Sequence, residues 1–194
     1  TKVWINSGTE VRFPVNMEGK ERSIYVDGEI YIEVAKDKER PFYVHTSGFD
    51  VRVYGTKFNV TSYKADEEKS VVLVEGSVSV CSKEETKEKE AKEIFLHPDQ
   101  MYHTTNRGPM ITHVNALQYI TWKDGIWQFT SESLESIALR LSRYYGVDIH
   151  CDEKTAVKSC TGKLILFDDV DKTLRIIEEI FGVRYETNQN EIII

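Results

Sequence analysis

Histidines, cysteines and paired acids are the groups from which this chain could build a reactive site. The five histidines are His45, His97, His103, His113 and His150. A metal centre on a β framework wants two histidines two residues apart on one strand face, followed by a glutamate and a further histidine. No H-x-H occurs here, and His97 and His103 are six apart with Pro98 between them. No metal site and no cofactor is expected. The three cysteines contain no C-x-x-C and fit no zinc spacing. Cys151 and Cys160 bracket the polar segment CDEKTAVKSC. In an oxidising compartment they could close a disulfide contributing ~3 kcal/mol; alternatively they are two small buried thiols. Cys81 is then left over and reads as a strand residue. No G-x-S-x-G elbow is present, and no cysteine sits where its pKa would be depressed. Glu29 and Glu33 share a strand face, an arrangement common among solvated carboxylates and not sufficient for a glycosidase pair. Tyr31, Tyr43, Tyr54, Tyr63 and Tyr102 could form a sugar-stacking surface or simply pack on strand faces. Asn59-Val60-Thr61 is a formal glycosylation sequon, read as coincidence because it falls within a strand pattern. These residues describe a binding or signalling module and not an enzyme.

The elements that must carry them fall into two textures. Up to about residue 115 the chain is a series of short segments rich in β-branched and aromatic residues, among them RSIYVDG, EIYIEVA, FDVRVYG, KFNVTSY, SVVLVEG and SVSVCS. In 29–34 Ile30, Ile32 and Val34 face one way, and Glu29, Tyr31 and Glu33 the other. Gly28, Gly55 and Gly76 interrupt such runs. A glycine there marks a bulge or corner, and these three would let a long strand pass from one sheet to another, as in a jelly roll or double-stranded β-helix. Residues 83–93, KEETKEKEAKE, read as a solvated loop or short surface helix, and Pro98-Asp99 as a turn.

From about Trp122 strands alternate with helices. One helix starts near Thr130–Ser131, presents Leu134, Ile137, Ala138, Leu141 and Tyr145 on one face, and stops at Gly146. A second starts at Asp168–Asp169, whose acids suit a helix N-terminus, runs through Val170, Leu174, Ile177 and Phe181, and stops at Gly182. Each follows a strand ending in phenylalanine (Phe129, Phe167) and leads through Gly-Val into another strand. This two-fold βαβ repeat, closed by Glu191–Ile194, predicts a small α+β domain with both helices on one face of a short sheet.

A chain of 194 residues accommodates two such units. Net charge is −7, with 9 basic and 13 acidic residues from Lys123 onward, so neither part is basic. That weighs against nucleic acid and anionic membrane surfaces as partners. No apolar run approaches the about 20 residues of a membrane span. A sequence opening on Thr1, without initiator methionine or signal sequence, is expected to be a fragment or processed product whose anchor or export signal lies elsewhere.

Several stretches occur together in order: KVWINSGTEVRFP (2–14), GKERSIYVDGEIYIEVAKDKERPFYVHT (19–46), VRVYGTKFNVTSY (51–63), VVLVEGSVSV (71–80), LHPDQMY (96–102), WKDGIWQFTSESLESIALRLSRYYGVDI (122–149) and TGKLILFDDVDKTLRIIEEIFGVRYE (161–186). In this combination the chain resembles the periplasmic region of FecR-type anti-sigma regulators. The tail is similar to the C-terminal domain of the Bacteroidetes-type versions, itself similar to the short secretin/TonB signalling fold. The cysteines and the charged run at 83–93 are not part of that pattern. The resemblance implies a FecR-type β-sandwich over 1–120 and an α+β signalling domain over 121–194. It also implies a single-pass inner-membrane protein whose sigma-binding segment is cytoplasmic and absent from this chain. Its partner would be the N-terminal signalling domain of a TonB-dependent outer-membrane transporter, docking on about 123–194. Signal transfer would control proteolysis or release at the inner membrane and switch on uptake genes for iron chelates or glycans. Two sheet edges are candidates for that docking by strand addition: Ile192, Ile193 and Ile194, and Leu164, Ile165 and Leu166 within TGKLILF. A buried central strand, which a continuous apolar run also fits, is the favoured reading of each. A carbohydrate- or small-ligand-binding β-module and a cupin-like metal enzyme are the other readings.

Overall fold

The computed structural model describes residues 1–83, 93–105, 108–188 and 191–194; nearly all of the charged run at 83–93 lies outside them. The chain divides into two compact units, Thr1–Ile120 and Thr121–Ile194. Among the described residues the first holds eleven strands: β1 (Lys2–Ile5), β2 (Glu10–Arg12), β3 (Arg22–Glu33), β4 (Phe42–His45), β5 (Phe49–Val53), β6 (Lys57–Ser62), β7 (Ser70–Glu75), β8 (Val78–Ser82), β9 (Glu93–Leu96), β10 (Gln100–His103) and β11 (Met110–His113). They form one curled sheet in the order β11-β10-β7-β6-β3-β4-β5-β8-β9, with β1 and β2 on β3.

β3 explains the curl. Its residues 22–27 pair with β4 and β2, and residues 28–33 pair with β6 and β1. Gly28 stands where the partners change. Its φ of 138° is open to glycine, and a Cβ there would fall 2.6 Å from Thr9 Cβ and Cγ2. Gly55 lies between β5 and β6, and Gly76 between β7 and β8, so each sits where the chain leaves one half of the sheet for the other. At Gly55, φ is 143° and an added Cβ would meet Lys36 Cα at 2.7 Å. The glycines are corners, as the sequence pattern requires.

The two halves close over one core that includes Ile24, Ile30, Ile32, Phe42, Phe49 and Phe58. Tyr31, on the opposite strand face, is nevertheless buried, with its ring 5.2 Å from that of Trp4 on β1. Arg22 is a buried cation that the sequence pattern does not announce. Its guanidinium donates to the carbonyls of Arg40 (2.9 Å) and Ala35 (3.0 Å) and lies over the Phe42 ring, which satisfies a charge that would otherwise be costly to bury.

A 3₁₀ segment, Ala116–Asp124, leads to the second unit. This contains β12 (Ile126–Ser133), α1 (Leu134–Tyr145), β13 (Asp148–His150), a short α2 (Glu153–Ala156), β14 (Ser159–Ile165), α3 (Val170–Phe181), β15 (Glu186–Asn188) and β16 (Glu191–Ile193). α1 begins after Ser133, three residues later than the Thr130–Ser131 start expected. β12 keeps pairing with β14 through Ser133↔Ser159, across a bulge where Ser131 takes a φ of 52°. Ser133 caps the helix, accepting from Ser136 N at 3.1 Å. Gly146 and Gly182 end α1 and α3 in the left-handed conformation.

The repeat is present, but its strands make two sheets and not the one short sheet expected. The leading strands pair with each other as β12–β14, while the trailing strands β13 and β15 flank β16. Leu134, Ile137 and Leu141 of α1 and Leu174, Ile177 and Phe181 of α3 share a core with Trp127, Phe129, Ile149, Leu164 and Ile192.

Candidate functional site

Among the described residues, no group of three or more His, Cys, Asp or Glu side chains is placed to hold a metal ion. Glu29 is not a solvated half of an acid pair: its carboxylate accepts from Asn6 Nδ2 (2.7 Å), Asn59 Nδ2 (2.9 Å) and Thr61 Oγ1 (3.2 Å). Asn59 of the sequon is buried, with its amide committed to that carboxylate. The tyrosines are dispersed. Tyr102 lies in the core, edge-on to Phe49. Tyr63 donates to Ser7 O at 2.9 Å. Tyr43 joins a ring stack with His45 and Tyr25. Tyr31, Tyr43 and Tyr102 lie in strands, whereas Tyr63 follows β6 and Tyr54, 45% exposed, lies between β5 and β6.

All three cysteines are free thiols, so the disulfide considered between Cys151 and Cys160 is not formed in this structure. Both lie partly buried against the second core. Burial, reinforced by Glu135 and Asp152, pushes the Cys151 thiol up to about 11. Burial and Glu132 push Cys160 upward.

The two apolar runs part company. β16 is the central strand of its sheet, parallel to β13 on one side and antiparallel to β15 on the other. Ile192 and Ile194 are buried, and Ile193 is 40% exposed on the opposite face. With both edges taken, strand addition at Ile192–Ile194 is closed. The apolar composition came from a buried position, as the central-strand reading holds.

β14 is different. Among the described residues it pairs with β12 alone, in a two-stranded sheet. Leu164 is 1% exposed and belongs to the core, Leu166 packs partly against it, and Ile165 between them is 55% exposed. Leu166 N donates to Gly125 O at 3.0 Å. Bonded and non-bonded pairs alternate along an antiparallel ladder. In the register Trp127↔Leu164 and Phe129↔Gly162, these pairs therefore bond across, and the N–H and C=O groups of Lys163 and Ile165 point away from β12. The exposed side carries Lys163, Ile165 and Phe167, beside the half-buried Ile126 and Gln128 of β12. Phe167 closes the open stretch, because its carbonyl accepts from Tyr145 Oη at 2.7 Å. Lys163 and Phe167 were not among the candidates. Alternation about Leu164 could have found them, but in an apolar run neither parity is marked as the outward one.

The first unit is thus a curled β-sandwich and the second a small α+β unit with an open strand edge, and comparisons with known proteins place the chain in a family. A family model for FecR protein matches residues 1–79, and one for the FecR C-terminal region matches 126–194; the chain belongs to the FecR family of anti-sigma factors. It is similar to two crystal structures of a candidate anti-sigma factor from Parabacteroides distasonis ATCC 8503. The first has a TM-score of 0.86 at 26% identity, covering 98% of this chain and 88% of that one. The second has a TM-score of 0.85 at 26% identity, covering 98% and 87%. Curated proteins give no match.

Proposed function

We propose that this chain is the periplasmic receiver of an anti-sigma factor held in the inner membrane by a single span outside the chain. On this reading it takes a signal from the N-terminal signalling domain of a TonB-dependent outer-membrane transporter and passes it towards an extracytoplasmic-function sigma factor. The sigma factor is bound by a cytoplasmic segment that is not part of this chain. The response is uptake of an iron chelate or a glycan. Among the described residues no helix is long and apolar enough to cross a membrane, in keeping with a role carried out by two folded units. The observation that carries the reading is the open edge of β14, with Ile165 exposed beside unpaired main-chain groups, inside the region matched by the FecR C-terminal model. An edge of this kind recognises a partner through main-chain hydrogen bonds and asks little of side-chain chemistry, which fits a protein whose reactive residues are scattered.

The test is calorimetric titration of the 194-residue chain with the signalling domain of the transporter encoded nearest to it. Saturable binding supports the relay. Absence of binding to that domain and to the other transporters of the same cell removes it.

A further inference from the structure

The exposed side of β14 also limits what can lie against it. Lys163 is exposed and forms no ion pair among the described residues, although the second unit carries four more acids than bases. Within β12 and β14, the exposed or half-buried side chains that share that face, Ile126, Gln128, Thr161 and Ile165, are uncharged. A strand added at this edge places alternate side chains beside Lys163 and Ile165, and the residue between them on the side of the buried Leu164. Resting on the relay reading above, we propose that the partner contributes an extended segment with three consecutive demands. An acidic side chain stands beside Lys163. The next residue is apolar and extends the core layer at Leu164. The one after it is apolar and covers Ile165. Four main-chain hydrogen bonds, to the N–H and C=O groups of Lys163 and Ile165, set the register. The lysine selects among strands, because a basic or uncharged residue opposite it leaves the cation unmatched as the edge is covered.

The experiment titrates the full 194-residue chain with the transporter signalling domain at low ionic strength. It compares wild type, Lys163→Glu and Ile165→Pro. Both substitutions fall on an exposed edge, and proline is tolerated on the unpaired side of an edge strand; circular dichroism and thermal melting verify each fold. Lys163→Glu should weaken binding about fivefold or more, from the loss of an opposite-charge cross-strand pair and the gain of a like-charge one. Exchanging the facing partner acid for lysine should restore it. Ile165→Pro should weaken binding at least as much, because it removes one of the four hydrogen bonds and disturbs the edge. Equal affinity of wild type and both variants overturns the inference while leaving the relay intact. Weakening by Ile165→Pro without any effect of Lys163→Glu keeps the edge but overturns the acidic requirement. No binding by wild type overturns the relay and this inference with it.

Discussion

Gly28 is the residue on which the curl of the first unit turns, and Gly28→Ala tests that directly. Two costs arise. At a φ of 138° an alanine occupies a backbone region that is nearly exclusive to glycine, worth about 1–3 kcal/mol. The new methyl would also fall 2.6 Å from Thr9 Cβ and Cγ2, so Thr9 must move. Thr9 Oγ1 accepts from Glu29 N at 2.9 Å and donates to Glu29 O at 3.2 Å. Losing those two bonds adds about 1 kcal/mol each. The sum is about 3–5 kcal/mol, a large part of the 5–15 kcal/mol that holds a typical domain together. With a urea m-value of about 1–3 kcal/mol/M, the unfolding midpoint of the first unit should drop by roughly 2 M. Peptide-resolved hydrogen exchange on the intact chain would locate the loss within residues 1–120. The double variant Thr9→Gly/Gly28→Ala removes the overlap but not the backbone strain, so it should be less destabilised than the sum of its single variants. A cost for Gly28→Ala under about 1 kcal/mol, or strict additivity in the double variant, would refute the corner assignment.

Neighbouring residues on β14 should separate folding from recognition. Leu164→Ala removes a fully buried side chain and should cost about 2–5 kcal/mol, whereas Ile165→Ala, at 55% exposure, should stay within about 1 kcal/mol in the same thermal melt. Tyr145 Oη lies 2.6 Å from the hydroxyl of Thr173, which is fully buried. Tyr145→Phe therefore strands that hydroxyl and frees the Phe167 carbonyl, and equilibrium unfolding should show a loss of about 1–3 kcal/mol. Cys151, with its thiol pushed up to about 11 by burial, stays protonated at neutral pH. Alkylation of the folded chain followed by mass spectrometry should be slower there than in the urea-unfolded chain. The sign for stability follows: a thiol that holds its proton more tightly when folded contributes fully below the ordinary thiol pKa, and the contribution is lost as pH rises towards about 11. An alkaline unfolding series should show that loss in the wild type and less of it in Cys151→Ala.

What the sequence revealed follows from which interactions are local. Gly28, Gly55 and Gly76 were legible as corners because a glycine inside a β-branched run has few other uses, and all three lie where the chain crosses between sheet halves. The helices were legible from 3.6-residue periodicity and from Gly146 and Gly182, which end them through local geometry. The start of α1 was missed because the strand pairing Ser133↔Ser159, a contact across 26 residues, holds 130–133 in β12. The single short sheet failed for the same kind of reason: a βαβ pattern states which strands exist but not that β12 chooses β14 while β13 chooses β16.

The site shows where composition stops being informative. Ile192–Ile194 and Leu164–Leu166 are both unbroken apolar runs, and on hydrophobicity alone the three isoleucines look the better edge. What separates them is the number of neighbours each strand acquires. β16 is flanked on both sides and spends its isoleucines on the core and on the far face of its sheet. β14 has one partner, so the same kind of run leaves every second main-chain group and the Ile165 side chain facing outward. Lys163 is the one charged side chain on an exposed strand face it shares with Ile165, Thr161 and Gln128, and among the described residues it forms no ion pair. Its position becomes intelligible if the edge is completed by another protein, and the discrimination that a scattered set of tyrosines and histidines cannot supply is then set by Lys163.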